Sequence, residues 1–106
     1  MSTDNTLVAR TILDQLGGGR FQVMTGANSF VASPDGISFR IPKGKNAHSG
    51  RAVNVVRVTL DPSDTYTIEV SYLRAGVLRS VETVSDVYCD HLRPVFEQLT
   101  GLYTRL

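Results

Sequence analysis

The most basic stretch of the chain, "IPKGKNAHSGRAV", runs from Ile41 to Val53 and contains no acidic residue. Its cations are Lys43, Lys45 and Arg51. Ammonium and guanidinium groups bind phosphate oxygens, and the glycines between these residues allow a backbone to approach a ligand closely. Two interpretations are open: a phosphate-binding element, or a mobile polar connection between two strands.

Further arginines extend this basic segment. Arg40 and Arg57 flank it, and Arg74 and Arg79 lie on either side of a later turn. Because phosphate contacts dominate the binding of nucleic acids, these side chains together form a candidate surface for such a partner. The predicted binding residues are Arg40, Lys43, Lys45, Arg51, Arg57, Arg74 and Arg79.

The charge is unevenly distributed along the chain, although the formal net charge is only +1. The charged residues between Ile37 and Leu60 are all positive, whereas acidic residues outnumber basic ones from Glu82 onward. Such asymmetry gives a molecule a directional field that can steer a charged partner.

The run "YCDH", Tyr88 to His91, places a thiol, a carboxylate and an imidazole side by side. On a helix, consecutive residues diverge by about 100°, so Cys89 and His91 would not meet as nucleophile and base. A buried or half-buried structural cysteine is therefore predicted. A zinc site built from Cys89, His91 and His48 would lack the paired spacing of structural zinc sites.

Other motifs have structural explanations. "GGGR", Gly17 to Arg20, resembles a phosphate-binding loop, but such loops follow a strand and open a helix, the reverse of the order predicted here. Asp61 and Asp64 bracket a Pro-Ser turn, where aspartate caps its own backbone. Tyr66 and Tyr72 lie on the apolar face of a predicted strand, which favours core positions over base stacking. The sequence thus predicts no catalytic residue, no metal ligand and no cofactor, and hence a protein that is not an enzyme.

The first element that positions these residues is an amphipathic helix that ends at Leu16, with Thr3 or Asp4 as its N-cap and Gly17 as its stop. After the glycines, alternation or apolar content predicts a series of strands. They are "RFQVMTG", "SFVA", "ISFRI", "VNVVRVTL", "TYTIEVSYLR" and "VLRSVETV". Turns are predicted at "SPDG", "DPSD" and "AG".

The last element, "SDVYCDHLRPVFEQLTGL", has helical spacing of apolar residues and a stop at Gly101. Pro94 complicates it, because proline inside a helix removes a hydrogen bond and clashes with the preceding turn. We expect a helix that begins near Ser85 and kinks at Pro94. The alternative is a short turn from Ser85 followed by a new helix that starts just before Pro94.

These elements predict an α+β fold in one domain, residues 1–106. Its antiparallel sheet has about four to six strands, and an N-terminal and a C-terminal helix pack on one face. A strand left at the sheet edge could pair with a second copy, which makes a homodimer possible.

The composition is that of a soluble globular protein, with 42% hydrophobic residues and a mean hydropathy of -0.04. No apolar run is long enough to span a membrane, and the first residues lack the pattern of a signal peptide. Cys89 is the only cysteine, so no intramolecular disulfide can form. We therefore expect a cytoplasmic location in a bacterial host cell.

Three pieces of the chain together resemble a family of short uncharacterised proteins carried by bacteriophages, prophages and other mobile elements. The pieces are "ILDQLGGGRFQVMTGANSFV", "VNVVRVTLDPSDTYTIEVSYLR" and "VYCDHLRPVFEQLTGLYT". The run from Gln15 to Gly26 carries most of the resemblance, and the region from Lys43 to Arg51 lies outside it. The resemblance implies a phage or mobile-element context, and no activity or catalytic residue that could be transferred.

The sequence therefore favours a small non-enzymatic protein that binds a macromolecule. Nucleic acid is the favoured partner, through the basic region from Arg40 to Arg57. The alternative is a protein–protein interaction module, such as an inhibitor of a host defence or metabolic complex.

Overall fold

The computed structural model describes residues 6–102, so the candidate N-caps Thr3 and Asp4 lie outside the described range. The helices are α1 (Thr6–Leu16), α2 (Gly18–Thr25) and α3 (Leu92–Thr100), and a 3-10 turn spans Cys89–His91. The strands are β1 (Asn28–Ser33), β2 (Gly36–Lys45), β3 (Ala52–Leu60), β4 (Tyr66–Arg74) and β5 (Val77–Val87). Within the described range, no helix has the length and apolar character needed to cross a membrane.

The strands form a single antiparallel sheet in the order β1-β2-β3-β4-β5. Each strand pairs with its neighbours in sequence, so every connection is a hairpin or a short turn. The predicted turns are confirmed at Ser33–Gly36 and at Ala75–Gly76, where both φ angles are positive as a tight hairpin requires. The predicted α+β fold, with an antiparallel sheet between terminal helices, is confirmed.

The hydrophobic core lies between the helices and one face of the sheet. At its centre the ring of Phe21 meets Phe39 edge-on at 5.5 Å and Phe96 at 5.3 Å between centroids. These rings therefore join α2, β2 and α3, which lie far apart in sequence. Around them pack fully buried side chains from α1, β3, β4 and α3, among them Ile12, Leu16, Val56, Ile68 and Leu99.

The segment that follows Gly17 is a helix, and the predicted strand "RFQVMTG" is wrong. Gly17 ends α1 as expected, but α2 begins at once and continues to Thr25. In this helix Phe21 and Thr25 are four residues apart and both are buried, whereas Val23 is 84% exposed. A strand would place Val23 on the same face as Phe21. The alternation of so short a segment cannot distinguish a period of two from one of 3.6.

The expected kinked helix from Ser85 is also wrong. Strand β5 continues to Val87, the chain turns through Cys89–His91, and α3 begins only at Leu92. Pro94 therefore lies in the first turn of α3, where a backbone N–H has no partner inside the helix and its loss costs little. The alternative of a new helix just before Pro94 is close to what the structure shows.

The basic segment is more regular than a loose connection. Strand β2 includes Lys43 and Lys45, and β3 begins at Ala52, so the connection shrinks to residues 46–51. The backbone N–H of Asn46 donates to the carbonyl of Arg51 at 2.8 Å, which closes the turn. The lysines are therefore carried by a strand, which fixes the direction in which each points.

Candidate nucleic-acid interface

The sheet face opposite the helices has no cover among the described residues, and we call it the open face. Its positions alternate with the core positions of each strand. Across its middle, Ser38, Arg57, Glu69 and Thr83 lie opposite one another on β2 to β5. The remaining open-face residues include Val31, Arg40, Val55, Thr59, Thr67, Ser71, Leu73, Leu78 and Ser80.

The open face is concave. A cavity of about 300 Å³ lies between Val31 on β1 and Leu78 on β5, with Arg57 and Glu69 in its lining. A second cavity of about 270 Å³ adjoins it and shares Arg57 and Glu69. Because residues from both edge strands border the first cavity, the sheet must curve toward its open side.

Arg40 and Arg57 lie on this open face. Arg57 is opposite Ser38, and Arg40 is opposite Val55, so the two arginines are diagonal neighbours on adjacent strands. Both side chains are exposed. They can reach the same rod-like ligand from neighbouring strands.

Lys43 and Lys45 lie on either side of Gly44 near the end of β2. The glycine between them, Gly44, faces the helices, because an added Cβ there would lie 2.8 Å from Ile41 Cδ1 and 3.0 Å from the Thr100 carbonyl oxygen. Lys45 is paired with Ala52 beyond the irregular part of β2, so it points away from Gly44 and toward the open side. Both exposed lysines also line a cavity of about 350 Å³ together with Thr100, Gly101 and Leu102 at the end of α3.

Arg51 completes the cluster at the end of the β2–β3 turn, where it is exposed next to the first residue of β3. We call Arg40, Lys43, Lys45, Arg51 and Arg57 the basic patch. In the part of the chain that the structure describes, no carboxylate forms an ion pair with any of them, although Glu69 lies opposite Arg57 in register. The patch therefore carries five positive charges, with the carboxylate of Glu69 on the strand beside Arg57.

Asn46 holds the turn of the patch in place. Its side chain is buried, with 1% relative exposure, and its Nδ2 donates to Glu82 Oε1 at 2.8 Å and to the Leu99 carbonyl at 3.3 Å. Its Oδ1 accepts from the backbone N–H groups of His48 at 2.9 Å and Ser49 at 2.8 Å. One amide thus links the turn to both β5 and α3.

His48 and Glu82 form the second link. His48 Nδ1 lies 3.0 Å from Oε1 and 3.1 Å from Oε2 of Glu82, and Nδ1 carries the hydrogen because a carboxylate can only accept. The hydrogen bond from His48, together with that from Asn46, lowers the pKa of Glu82. Sequence reasoning missed Asn46 and Glu82. Asparagine before a turn is a local signal, but nothing local points to a partner 36 residues away.

Arg74 and Arg79 are not part of this patch. Tyr72 alternates with the buried core residues Ile68 and Val70 along β4, so it faces the helix side. Arg79 lies opposite Tyr72, and Arg74 is two residues beyond Tyr72, so both arginines share that side. The predicted surface is therefore split between the two faces of the sheet.

The remaining candidate residues, Tyr66, Cys89 and His91, differ in their exposure. Tyr66 is buried, as predicted, and burial is the main cause that raises its pKa. Cys89 is exposed, so the prediction of a buried or half-buried cysteine is wrong; the chain turns there instead of continuing a packed helix. His91 Nδ1 lies 3.9 Å from Asp90 Oδ1 on the same exposed turn. Over residues 6–102, no group of three or more potential metal ligands comes together.

No protein-family model matches the chain, and no curated protein or solved structure is significantly similar to it. The open face and the β4–β5 hairpin are therefore the features from which a function can be inferred.

Proposed function

We propose that this protein binds nucleic acid by contacts between the basic patch and backbone phosphates. The observation that supports the proposal is that Arg40 and Arg57 are diagonal neighbours on the open face, with Lys43, Lys45 and Arg51 at the adjoining end of β2 and its turn into β3. A group of cations on adjacent strands and their turn can contact several of the repeating phosphates of a nucleic-acid backbone.

The chemistry of the open face favours phosphate contacts over base recognition. None of the open-face positions named above is aromatic, and Phe30 packs against Phe39 on the core side at 5.4 Å. Base stacking on aromatic side chains is the usual source of affinity for unpaired bases. We therefore expect binding that depends little on sequence and strongly on salt.

The first test is the salt dependence of duplex binding. Fluorescence anisotropy with a labelled DNA duplex and a labelled RNA duplex is measured from about 20 to 200 mM salt. Each neutralised phosphate contributes about 0.9 to the slope of log affinity against log salt, so a few patch contacts give a slope of about −3 to −4. The Arg40→Gln/Lys43→Gln/Arg57→Gln variant should lose about one unit of slope for each cation removed.

The matched control is Arg10→Gln/Arg20→Gln, which removes exposed positive charge from α1 and α2 on the helix side. This control should change the affinity much less for each charge removed than the patch variant does. Equal losses in both variants would mean that net charge alone drives the binding. Negligible affinity for DNA and RNA at low salt would refute the proposal.

A protein partner is the alternative, since Val31 and Leu78 expose 62% and 59% of their surface on the same face. A pull-down with the tagged chain, with and without nuclease, separates the two cases. Capture of nucleic acid that disappears with nuclease supports our proposal. A stable protein partner that is unaffected by nuclease, and lost in a Val31→Asp/Leu78→Asp variant, favours the alternative. A phage or mobile-element origin stays a prediction.

A further inference from the structure

The end of the β4–β5 hairpin carries a further cavity, which lies on the helix side of the sheet. It has a volume of about 390 Å³ and is lined by Tyr72, Arg74, Ala75, Val77 and Arg79. We call it the tip pocket. The lining combines two guanidinium groups, one aromatic ring and an apolar rim in which Val77 is 55% exposed.

The hairpin register builds this combination. Tyr72 and Arg79 are directly opposite, and Arg74 follows Tyr72 on the same face of β4, next to the turn at Ala75 and Gly76. The positive φ values of both turn residues, 54° and 79°, make the hairpin tight, so the two strands stay paired up to the turn. Arg79 is thereby placed beside Tyr72 on the neighbouring strand, and Arg74 on the turn side of Tyr72.

The charges in the tip pocket lack a carboxylate partner within the described chain. Its lining includes no acidic residue. The next carboxylate on the same side of β5, Glu82, is bonded to Asn46 and His48. Two like charges close together on a sheet surface repel each other, so an anion bound between Arg74 and Arg79 would relieve that repulsion.

The pocket therefore has separate features for two parts of one ligand. Guanidinium groups bind phosphate oxygens through paired hydrogen bonds, which an isolated lysine cannot match. The half-buried side chain of Tyr72 offers an aromatic surface to a planar ring, and Val77 adds apolar contact beside it. A volume of about 390 Å³ lies within the usual range for small-ligand sites.

We propose that the tip pocket binds a nucleotide, with the phosphate held by Arg74 and Arg79 and the base packed against Tyr72. The site lies on the face opposite the basic patch and does not depend on it. A free mononucleotide and a phosphorylated end of a single strand present the same chemistry, so the experiment includes both.

The test is a titration of the isotope-labelled protein followed by two-dimensional NMR. The probes are adenosine monophosphate, adenosine, inorganic phosphate, and a short single-stranded oligonucleotide with and without a 5′ phosphate. We expect shifts in the amide signals of residues 72–79, and tighter binding of the monophosphate than of adenosine or phosphate alone. Preference for the phosphorylated oligonucleotide over the free monophosphate would assign the site to strand ends, and the reverse to free nucleotides.

Two sets of variants test the aromatic part and the cationic part of the pocket separately. Tyr72→Leu should weaken monophosphate binding about 5- to 100-fold through lost stacking, while Tyr72→Phe, which keeps the ring, should bind like the parent protein. Arg74→Gln/Arg79→Gln should reduce monophosphate binding to the level of adenosine. These arginines are exposed, so their replacement should leave the far-UV circular dichroism spectrum unchanged.

The control is Arg10→Gln/Arg20→Gln, which removes two exposed arginines outside both surfaces and should leave mononucleotide binding unchanged. Absence of shifts at residues 72–79 with every probe at millimolar concentration would overturn the proposal. Equal affinity for inorganic phosphate and the monophosphate would also overturn it, as would unchanged binding in Tyr72→Leu. Because duplex binding is measured separately, failure here leaves the proposed function of the basic patch standing.

Discussion

At the scale of single residues, the position of the β2–β3 turn depends on Asn46. Its amide is buried and makes contacts to Glu82, Leu99, His48 and Ser49. Asn46→Ala removes all of these contacts and leaves backbone groups unpaired, which costs about 1 to 3 kcal/mol of unfolding free energy. Urea denaturation measures this loss.

Asn28→Ala is the matched control for this prediction. The Asn28 amide is exposed and donates to the Gly26 carbonyl at 3.1 Å, so its replacement should change the unfolding free energy by about 0.5 kcal/mol or less. A similar loss in both variants would show that the buried links of Asn46 do not hold the turn.

Glu82 gives a pH-dependent contribution at the same scale. The hydrogen bonds from His48 and Asn46 lower its pKa below the ordinary 4.5, so the folded state binds the proton less readily than the unfolded state. The stability that results is present above about pH 4.5 and is lost as the pH falls through the lowered pKa.

Denaturation of the parent protein and of Glu82→Gln at several pH values between about 3 and 6 measures this effect. The variant lacks the titrating group, so its stability should fall less steeply with acid. Parallel pH curves for the two proteins would contradict the assignment.

At the scale of elements, long alternating segments were predictable and short ones were not. The strand Tyr66–Arg74 alternates over its whole length, and its sequence is sufficient to identify it. Helix α2 has only 8 residues and begins with two glycines, so its sequence lacks a clear helical stripe. What determines its conformation is the docking of Phe21 between Phe39 and Phe96, and that contact is non-local.

Two substitutions in α2 test this account. Phe21→Ala should cost about 3 to 5 kcal/mol of unfolding free energy, because it leaves a cavity between the rings of the core. Val23→Lys should change the unfolding free energy by about 0.5 kcal/mol or less, because Val23 is 84% exposed. If residues 20–26 were a strand, Val23→Lys would bury a charge beside Phe21, and the two costs would be similar.

At the scale of the whole molecule, the sequence identifies the cationic residues but does not show on which face of the sheet each of them lies. Arg57 and Arg79 look equivalent in a strand pattern, and only the sheet register places the first on the open side and the second on the helix side. The pairing of β2 with β3 is irregular between Arg40 and Gly44, and the pairing of β4 with β5 is irregular between Val70 and Ser71, whose partners are Glu82 and Ser80. These irregularities shift the alternation along β2 and β5. No local sequence pattern predicts such a shift in the alternation.

The separation of the two surfaces predicts independent effects. A variant that combines Arg40→Gln/Arg57→Gln with Arg74→Gln/Arg79→Gln should show the sum of the separate changes in free energy, for duplex binding by anisotropy and for nucleotide binding by NMR. Distant sites without shared partners are usually additive within about 0.5 kcal/mol. A large deviation from additivity would mean that one ligand spans both faces.

The hydrogen bonds from the β2–β3 turn to α3 can form only after α3 has been synthesised. Asn46 donates to the carbonyl of Leu99, and the N–H of Ala47 donates to the carbonyl of Gln98 at 3.1 Å, so the turn contacts residues synthesised much later. While the chain emerges from the ribosome, the lysines of β2 are made long before their support exists. A nascent chain that stops before Gln98 should therefore lack a positioned β2–β3 turn, and the proposed binding of nucleic acid requires that α3 has docked.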